Sequence, residues 1–378
     1  MFNINDKEEL NKFVQTANEQ QTIRNHFSPD LSEFGVVILV QVHKRPGDLR
    51  ILIDSLKSVK GIEKTLVVFS HDVVLPEVHK LIQDIQFCPV MQIFFPYAIQ
   101  LYDGRFPGDS KNDCPRDISM KKAKEIKCNN ADNPDKFKHY REAKFTQMKH
   151  HWLWKIHFVF NNVKILQKFK GMVLRLDNDY YLAPDILHII TLMRKHSMEH
   201  DENMFILGNH EIFSGESYSD VSVISNNWFT GVGRGMAFTR ELWQQIVACI
   251  DIFCSFDDYN WDWSLHKVVT DCIKGLKVMK PKASRIFHVG QCHGFHKHSM
   301  CTSEEILTRI TKYLRTNKEF MFPHKLIFDK RINNAVNNVS GYGGWGDPRD
   351  YKLCKAIVSS ASQAEHVIRS INKSHQLK

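Results

Sequence analysis

The 378-residue sequence has no apolar run near the roughly 20 residues that a membrane-spanning helix requires. Residues 1–24 are polar and lack the apolar centre of a secretory signal. No G-x-G-x-x-G follows the first strand-like run, which disfavours an ordinary dinucleotide site. Paired Cys-x-x-Cys knuckles of the structural-zinc kind are missing too. The 51 basic residues are dispersed among 42 acids without a concentrated stripe, which disfavours a nucleic-acid surface. A formal charge of +9 suits an anionic small ligand or an acidic surface equally, so charge alone decides nothing.

At 43% hydrophobic, the chain can bury one large α/β domain or two smaller ones. Residues 34–42 are nearly all apolar, as a central parallel strand should be. Pro46 then opens an expected helix through Ser58, followed by a strand over 65–70, a helix over 76–86 and a strand over 90–99. This β-α-β-α-β order predicts a Rossmann-like, mostly parallel sheet flanked by helices. Residues 100–136 form a long Pro/Gly/Asp/Lys-rich loop that a bridge between Cys114 and Cys128 would tie. A strong helix is expected over 139–160, with Lys149, His150 and His151 off its apolar stripe.

Three clusters carry chemistry. Asp177-Asn178-Asp179 sits where a strand over 171–176 runs out, with Pro184 placed to open the next helix. Ligands bind at that edge of an α/β sheet, and paired carboxylates can hold a divalent cation and through it a diphosphate. Residues 257–263, DDYNWDW, interleave three acids with three aromatics. Aromatic faces stack on sugar rings and carboxylates bind hydroxyls or remove their protons, although acids also favour the first turn of a helix. His288 ends a probable strand, and His293, His296 and His298 follow in a loop bounded by Cys292 and Cys301.

Nine cysteines, at 88, 114, 128, 249, 254, 272, 292, 301 and 354, have the spacing of a disulfide framework with one thiol left over. Asn338-Val-Ser and Asn372-Lys-Ser are glycosylation sequons. The expectation is a lumenal domain whose membrane anchor lies outside this sequence. Within it, residues 1–33 are expected to be stem-like, 34–355 the catalytic domain and 356–378 a tail.

The ordered segments QVHKRP (41–46), FSHD (69–72), FFPYAIQLY (94–102), DCPRD (113–117), HYREAKFTQMKHHW (139–152), DDYNWDW (257–263), RIFH (285–288) and YGGWGDPRD (342–350) resemble the N-acetylglucosaminyltransferase II family. The resemblance spans roughly residues 35–355. It implies a GT-A fold, a UDP-GlcNAc donor, Mn²⁺, a Golgi-lumenal location and an acceptor mannose on the α1,6 arm of an N-glycan. By the same resemblance, Asp179 and His288 are the metal ligands and Asp262 the general base of an inverting single displacement. Gln41, Val42, His43, Lys44, Arg45 and Asp72 would hold the uridine and ribose, and Gln147, Met148, Lys149, His150 and His151 would help to enclose the nucleotide. The family's bridges would be Cys114–Cys128, Cys249–Cys272, Cys254–Cys354 and Cys292–Cys301, with Cys88 free.

Here the metal strand ends Asp177-Asn178-Asp179-Tyr180, where the family has Glu-Glu-Asp-His. Two alternatives stand beside this reading. One is a related β1,2-GlcNAc transferase with a different mannose acceptor, and the other a catalytically silent glycan-binding protein.

Overall fold

A computed structural model describes residues 4, 6–200, 202–209, 216–228, 234–290, 302–330 and 341–376. Its strands in chain order are β1 (Ile23–Arg24), β2 (Val36–Val42), β3 (Val67–His71), β4 (Val90–Phe94), β5 (Met172–Asp177) and β6 (Tyr180–Leu182). They continue as β7 (Met204–Gly208), β8 (Ser222–Asn227), β9 (Arg234–Phe238), β10 (Lys277–Pro281), β11 (Ile286–His288) and β12 (Ile327–Lys330). One sheet runs in the order β1-β4-β3-β2-β5-β9-β7-β10-β8-β12, while β6 and β11 form a separate two-stranded ribbon. Strands β4, β3, β2 and β5 are parallel, and β9 is antiparallel to both its neighbours. This is the mostly parallel, helix-flanked sheet that the alternation of strands and helices predicts.

The central strands form where the sequence is apolar on both faces. Val37 and Leu39 face one buried layer, while Ile38 and Val40 face the other. The helix Ala143–Asn161 covers the first layer with Trp152, Ile156 and Val159, and the helix Pro46–Ser58 covers the second with Leu49, Leu52 and Leu56. Because parallel strands are joined by helical crossovers, the carboxyl ends of β2, β3 and β5 come out side by side. Gln41 is in register with Ser70 on one side and Asp177 on the other. That edge carries the site.

Some elements differ from expectation. Strand β4 stops at Phe94 rather than running to residue 99, because Pro96 supplies no N–H for the ladder. The long helix begins at Ala143, not 139, leaving Arg141 free to bind Asp350 at 2.8 Å. Between the Asp-x-Asp and the next helix (Ile186–His200) lies strand β6, and Pro184 precedes that helix instead of opening it. Strand β8 went unforeseen, since only two of the six residues in its sequence SVISNN are apolar.

The segment 1–33 is not a separate stem. Helix Lys7–Gln20 buries Leu10 and Val14 in the main core, and β1 pairs with β4. The 356–378 tail is likewise built in: helix Ala361–Gln376 places Ala364, Ile368 and Ile371 in the same core.

Three of the implied disulfides are formed, Cys114–Cys128, Cys249–Cys272 and Cys254–Cys354, and Cys88 is a buried free thiol. The fourth, Cys292–Cys301, lies outside the described residues, as do His293, His296, His298 and the sequon at Asn338. The Cys254–Cys354 bridge closes 100 residues and ties the helix Pro348–Ser359 to the short helix Ile250–Ser255. A loop of that length corresponds to about 4–5 kcal/mol in the chain-entropy picture. Among the described residues, no helix is long and apolar enough to cross a membrane.

Candidate active site

The Asp-x-Asp turn leaves β5 and returns as β6, whose antiparallel partner β11 ends at His288 opposite Tyr180. This pairing brings the Asp179 carboxylate to 2.9 Å from Nε2 of His288. Asp179 Oδ1 is buried with no hydrogen-bond partner, and so is His288 Nδ1. Gly290 stands directly against Asp179, where a Cβ would collide with the carboxylate. Burial alone would raise the Asp179 pKa, but the His288 hydrogen bond and the nearby charges of Arg45 and Arg234 outweigh it and hold the carboxyl below its ordinary value. An orphaned carboxylate oxygen beside an imidazole is a donor set that suits a divalent ion of the manganese type. These residues therefore fit the implied metal. Among the described residues, no group of three or more His, Cys, Asp or Glu gathers here or elsewhere.

The pair of acids does not act as a pair. Asp177 accepts a hydrogen bond from Arg175 two residues before it, so its charge is already matched. Asn178, where the family has an acid, donates to the carbonyl of Lys44 at 3.1 Å. A carboxylate could not make that bond. Tyr180, in place of the family's imidazole, is buried with its ring edge-on to His288, centroids 5.6 Å apart.

The stretch after β2 lies beside this turn. Val42 is core, and Gln41 accepts from Lys155, a lysine buried inside the long helix. His43 Nδ1 is 2.6 Å from Asp72 Oδ1 at the end of β3. Arg45 takes a left-handed backbone (φ 74°) to start the helix at Pro46. A cavity of about 600 Å³ opens here, lined by His43, Lys44, Asp72, Val73, Ile99, Gln100 and Gln147. Its size is that of a small-molecule site, and its full lining mixes two amides, an imidazole, two lysines and, with Asp103 and Asp109, three carboxylates.

Of the five helix residues 147–151, Gln147 alone lines that cavity, accepting from the Ile99 N–H at 2.6 Å. Met148 is half-buried. Lys149, His150 and His151 lie behind the wall. Lys149 donates to the carbonyls of Phe256 and Asp258, both at 3.1 Å, and sits 4.1 Å above the Trp345 ring. His150 meets the Asp350 carbonyl at 3.1 Å, and His151 Nε2 meets Ser70 Oγ at 2.8 Å. Burial pushes the Lys149 pKa well down and that of His150 to about 3.

The DDYNWDW segment divides its acids between two tasks. Asp258 is buried and accepts the backbone N–H groups of Tyr342 and Gly343, while Asp257 accepts that of Trp345. These two clasp the glycine-rich stretch 341–345 and are not free to bind sugar hydroxyls, correcting that part of the sequence reading. Asp262 opens the helix Trp261–Val268, with Oδ1 accepting the Trp263 N–H at 2.9 Å. Burial raises its pKa, opposed by the Arg175 charge. Trp261 stacks on Trp152 at 4.7 Å, and the Arg175 guanidinium lies over the Trp261 ring, 4.9 Å from its centroid.

Arg175 therefore stands between the turn carrying Asp179 and the helix carrying Asp262. Sequence reasoning missed it, because an arginine inside an apolar strand run gives no sign of what it faces. It also missed Lys155 and the structural role of Asp257 and Asp258.

A reversed strand in a parallel sheet, an acid–imidazole pair at the strand ends and a ligand-sized cavity beside them define a glycosyltransferase-type site. The chain belongs to the N-acetylglucosaminyltransferase II (MGAT2) family, whose sequence profile matches residues 11–354. It is 43% identical over 349 residues to the Mus musculus α-1,6-mannosyl-glycoprotein 2-β-N-acetylglucosaminyltransferase, covering 91% of this chain and 79% of that one. The Homo sapiens protein of the same name is 42% identical over 349 residues, covering 91% and 78%, and the Arabidopsis thaliana one 30% over 348, covering 88% and 78%. Among solved structures, S. aureus TarS residues 1–349 aligns with TM-score 0.36 and 10% identity over 90% of this chain and 91% of that chain.

Proposed function

We propose that the protein transfers GlcNAc from UDP-GlcNAc in β1,2 linkage to the α1,6-arm mannose of an N-glycan, as a Mn²⁺-dependent inverting enzyme of the Golgi lumen. The observation that carries this reading is the meeting of Asp179 and His288, with Arg175 bound to Asp177 on the same turn and its charge acting on Asp262. Family membership supplies the donor and acceptor class; the relatives' names specify the arm.

Each of the chain's own groups has a task. His43, Asp72 and Gln147 offer the donors and acceptors that would fix the nucleoside in the cavity at the strand ends. Asp179 and His288 would hold the manganese ion. When bound, that ion offsets negative charge on the diphosphate leaving group, so no second carboxylic acid is required. Asp262 takes the proton from the acceptor hydroxyl as its oxygen attacks the anomeric carbon on the face opposite UDP. Partial burial raises its basicity for that purpose, and the Trp263 N–H keeps one oxygen aimed. Lys149, through the Phe256 and Asp258 carbonyls, fixes the segment from which Asp262 projects.

The discriminating experiment is product linkage analysis. The protein is incubated with UDP-GlcNAc, Mn²⁺ and a biantennary glycan that lacks GlcNAc on the α1,6 arm alone. A single β1,2-GlcNAc on that arm is expected. Transfer to another mannose would replace the acceptor assignment, and absence of both transfer and donor hydrolysis would favour a silent glycan-binding protein.

A further inference from the structure

Strand β5 holds a cation among apolar neighbours. Val173, Leu174 and Leu176 are fully buried, and Arg175 between them is only 5% exposed. Residues two apart in a strand share a face, so Arg175 lies on the side of Val173 and Asp177, under the long helix Ala143–Asn161. Its guanidinium pairs with Asp177, a partly exposed carboxylate, while its Nε is buried with no hydrogen-bond partner among the described residues. A buried cation with an unpaired donor costs the fold more than an aliphatic side chain in its place would. Stability therefore does not explain Arg175.

Its contacts do. Asp177 ends β5 and begins the turn that presents Asp179. The same guanidinium lies over the ring of Trp261, 4.9 Å from its centroid, and Asp262 is the next residue along that helix. Trp261 is itself stacked on the fully buried Trp152, with the planes 5° apart. One side chain thus joins the metal turn to the first turn of the base helix, through an ion pair and a cation–π contact. We propose that Arg175 is a positioning residue of the transfer reaction, holding the Asp179 turn and the Asp262 helix at one spacing through Asp177 and Trp261. This role rests on the transfer reading above. The other ionisable groups around it are His151 and Lys155 on the long helix, Tyr180 on β6 and, beside Asp262, Tyr259. The Arg175 charge opposes the effect of burial on Asp262.

The test compares Arg175→Met and Asp177→Asn with the wild-type chain in three measurements. These are steady-state transfer, calorimetry of UDP with Mn²⁺, and carboxyl ¹³C NMR titration of Asp262, whose signal is assigned by its loss in Asp262→Asn. In Arg175→Met, kcat should fall about tenfold or more, the cost of a small misplacement, with UDP affinity and KM for UDP-GlcNAc within about threefold. Asp262 should titrate about half a pH unit or more higher without the guanidinium, and lower in Asp177→Asn, where the guanidinium has lost its counter-charge. A merely structural group would not give shifts of opposite sign. Arg175→Lys, which restores the charge, should bring the titration back toward wild type. Three results would overturn the role: unchanged kcat in Arg175→Met, Asp262 shifts that are absent or of one sign, or a loss of UDP affinity that matches the loss of kcat. The last would make Arg175 a support of the metal turn alone. If Arg175→Met does not fold, the direction of the Asp262 shift in Asp177→Asn decides. A wild-type chain that transfers nothing would overturn the transfer reading itself, and this role with it.

Discussion

Asp179 and His288, 109 residues apart in the chain, meet at 2.9 Å because a three-residue strand on either side zips them together. Neither is useful alone. The ribbon β6–β11 is thus the device that turns two separated side chains into one donor set.

Removing one member should be felt at the nucleotide. Asp179→Ala is expected to weaken manganese-dependent UDP binding by at least about tenfold, the scale on which ligand and supporting groups tune metal sites. Calorimetry with and without Mn²⁺ checks it. Equal UDP affinity in mutant and wild type would place the metal elsewhere.

Asp262→Asn keeps size and the Trp263 contact but cannot take a proton. Transfer should fall by at least ~10²-fold while UDP binding stays within about twofold. Because burial raises the Asp262 pKa, the wild-type rate should drop on the acid side through a value above that of an ordinary aspartate. An acid limb at or below the ordinary aspartate range, or near-normal turnover in the mutant, removes Asp262 from the role.

Asp258 tests the clasp. Its carboxylate accepts N–H groups from Asn260, Tyr342 and Gly343. Asp258→Ala should cost about 2–4 kcal/mol in denaturant unfolding, since several backbone donors lose an ionised acceptor. Transfer should fall as well, through misplacement of Asp262, with UDP affinity little changed. A variant as stable as wild type would show that the 341–345 stretch is held by other contacts.

Acid should unfold the protein through its buried imidazoles. Burial lowers both His71 and His150 from 6.5 to about 3. The unfolded chain therefore protonates first as pH drops, so stability is complete above about pH 6.5 and declines down to about pH 3. The slope is at most ~1.4 kcal/mol per pH unit for each histidine. Urea midpoints across that range measure it, and a flat profile between pH 6.5 and 4 would contradict the burial argument.

Asn372 bears on the second sequon. Its Nδ2 donates to the Phe106 carbonyl at 2.8 Å from within the last helix. The nitrogen that would carry a glycan is thus engaged, and peptide mapping should find this site unmodified in the folded protein.

Much of this was legible in the sequence, for reasons that differ by element. The apolar runs of β2, β3 and β5 and the stripe of the helix Ala143–Asn161 report burial directly, because parallel strands and core helices are apolar wherever they pack. Strands β6 and β8 and the first helix were missed or misplaced. They are short or half polar, and only their neighbours make them pay out as structure. Lys149, His150 and His151 illustrate the same limit: the family resemblance implied that they help to enclose the nucleotide, yet four interior carbonyl and hydroxyl partners hold them behind the cavity wall.

Amino-acid order alone therefore determined the class of sheet, the edge where its strands end and the residue types available for metal and proton chemistry. Those follow from local periodicity and from which side chains can bind a cation or accept a proton. Tertiary structure decided which acids are free to act. Asp177 goes to Arg175, Asp257 and Asp258 to backbone amides, and Asp179 and Asp262 are left for chemistry. A carboxylate's role is set by what reaches it in space, and those partners lie 1 to 109 residues away along the chain.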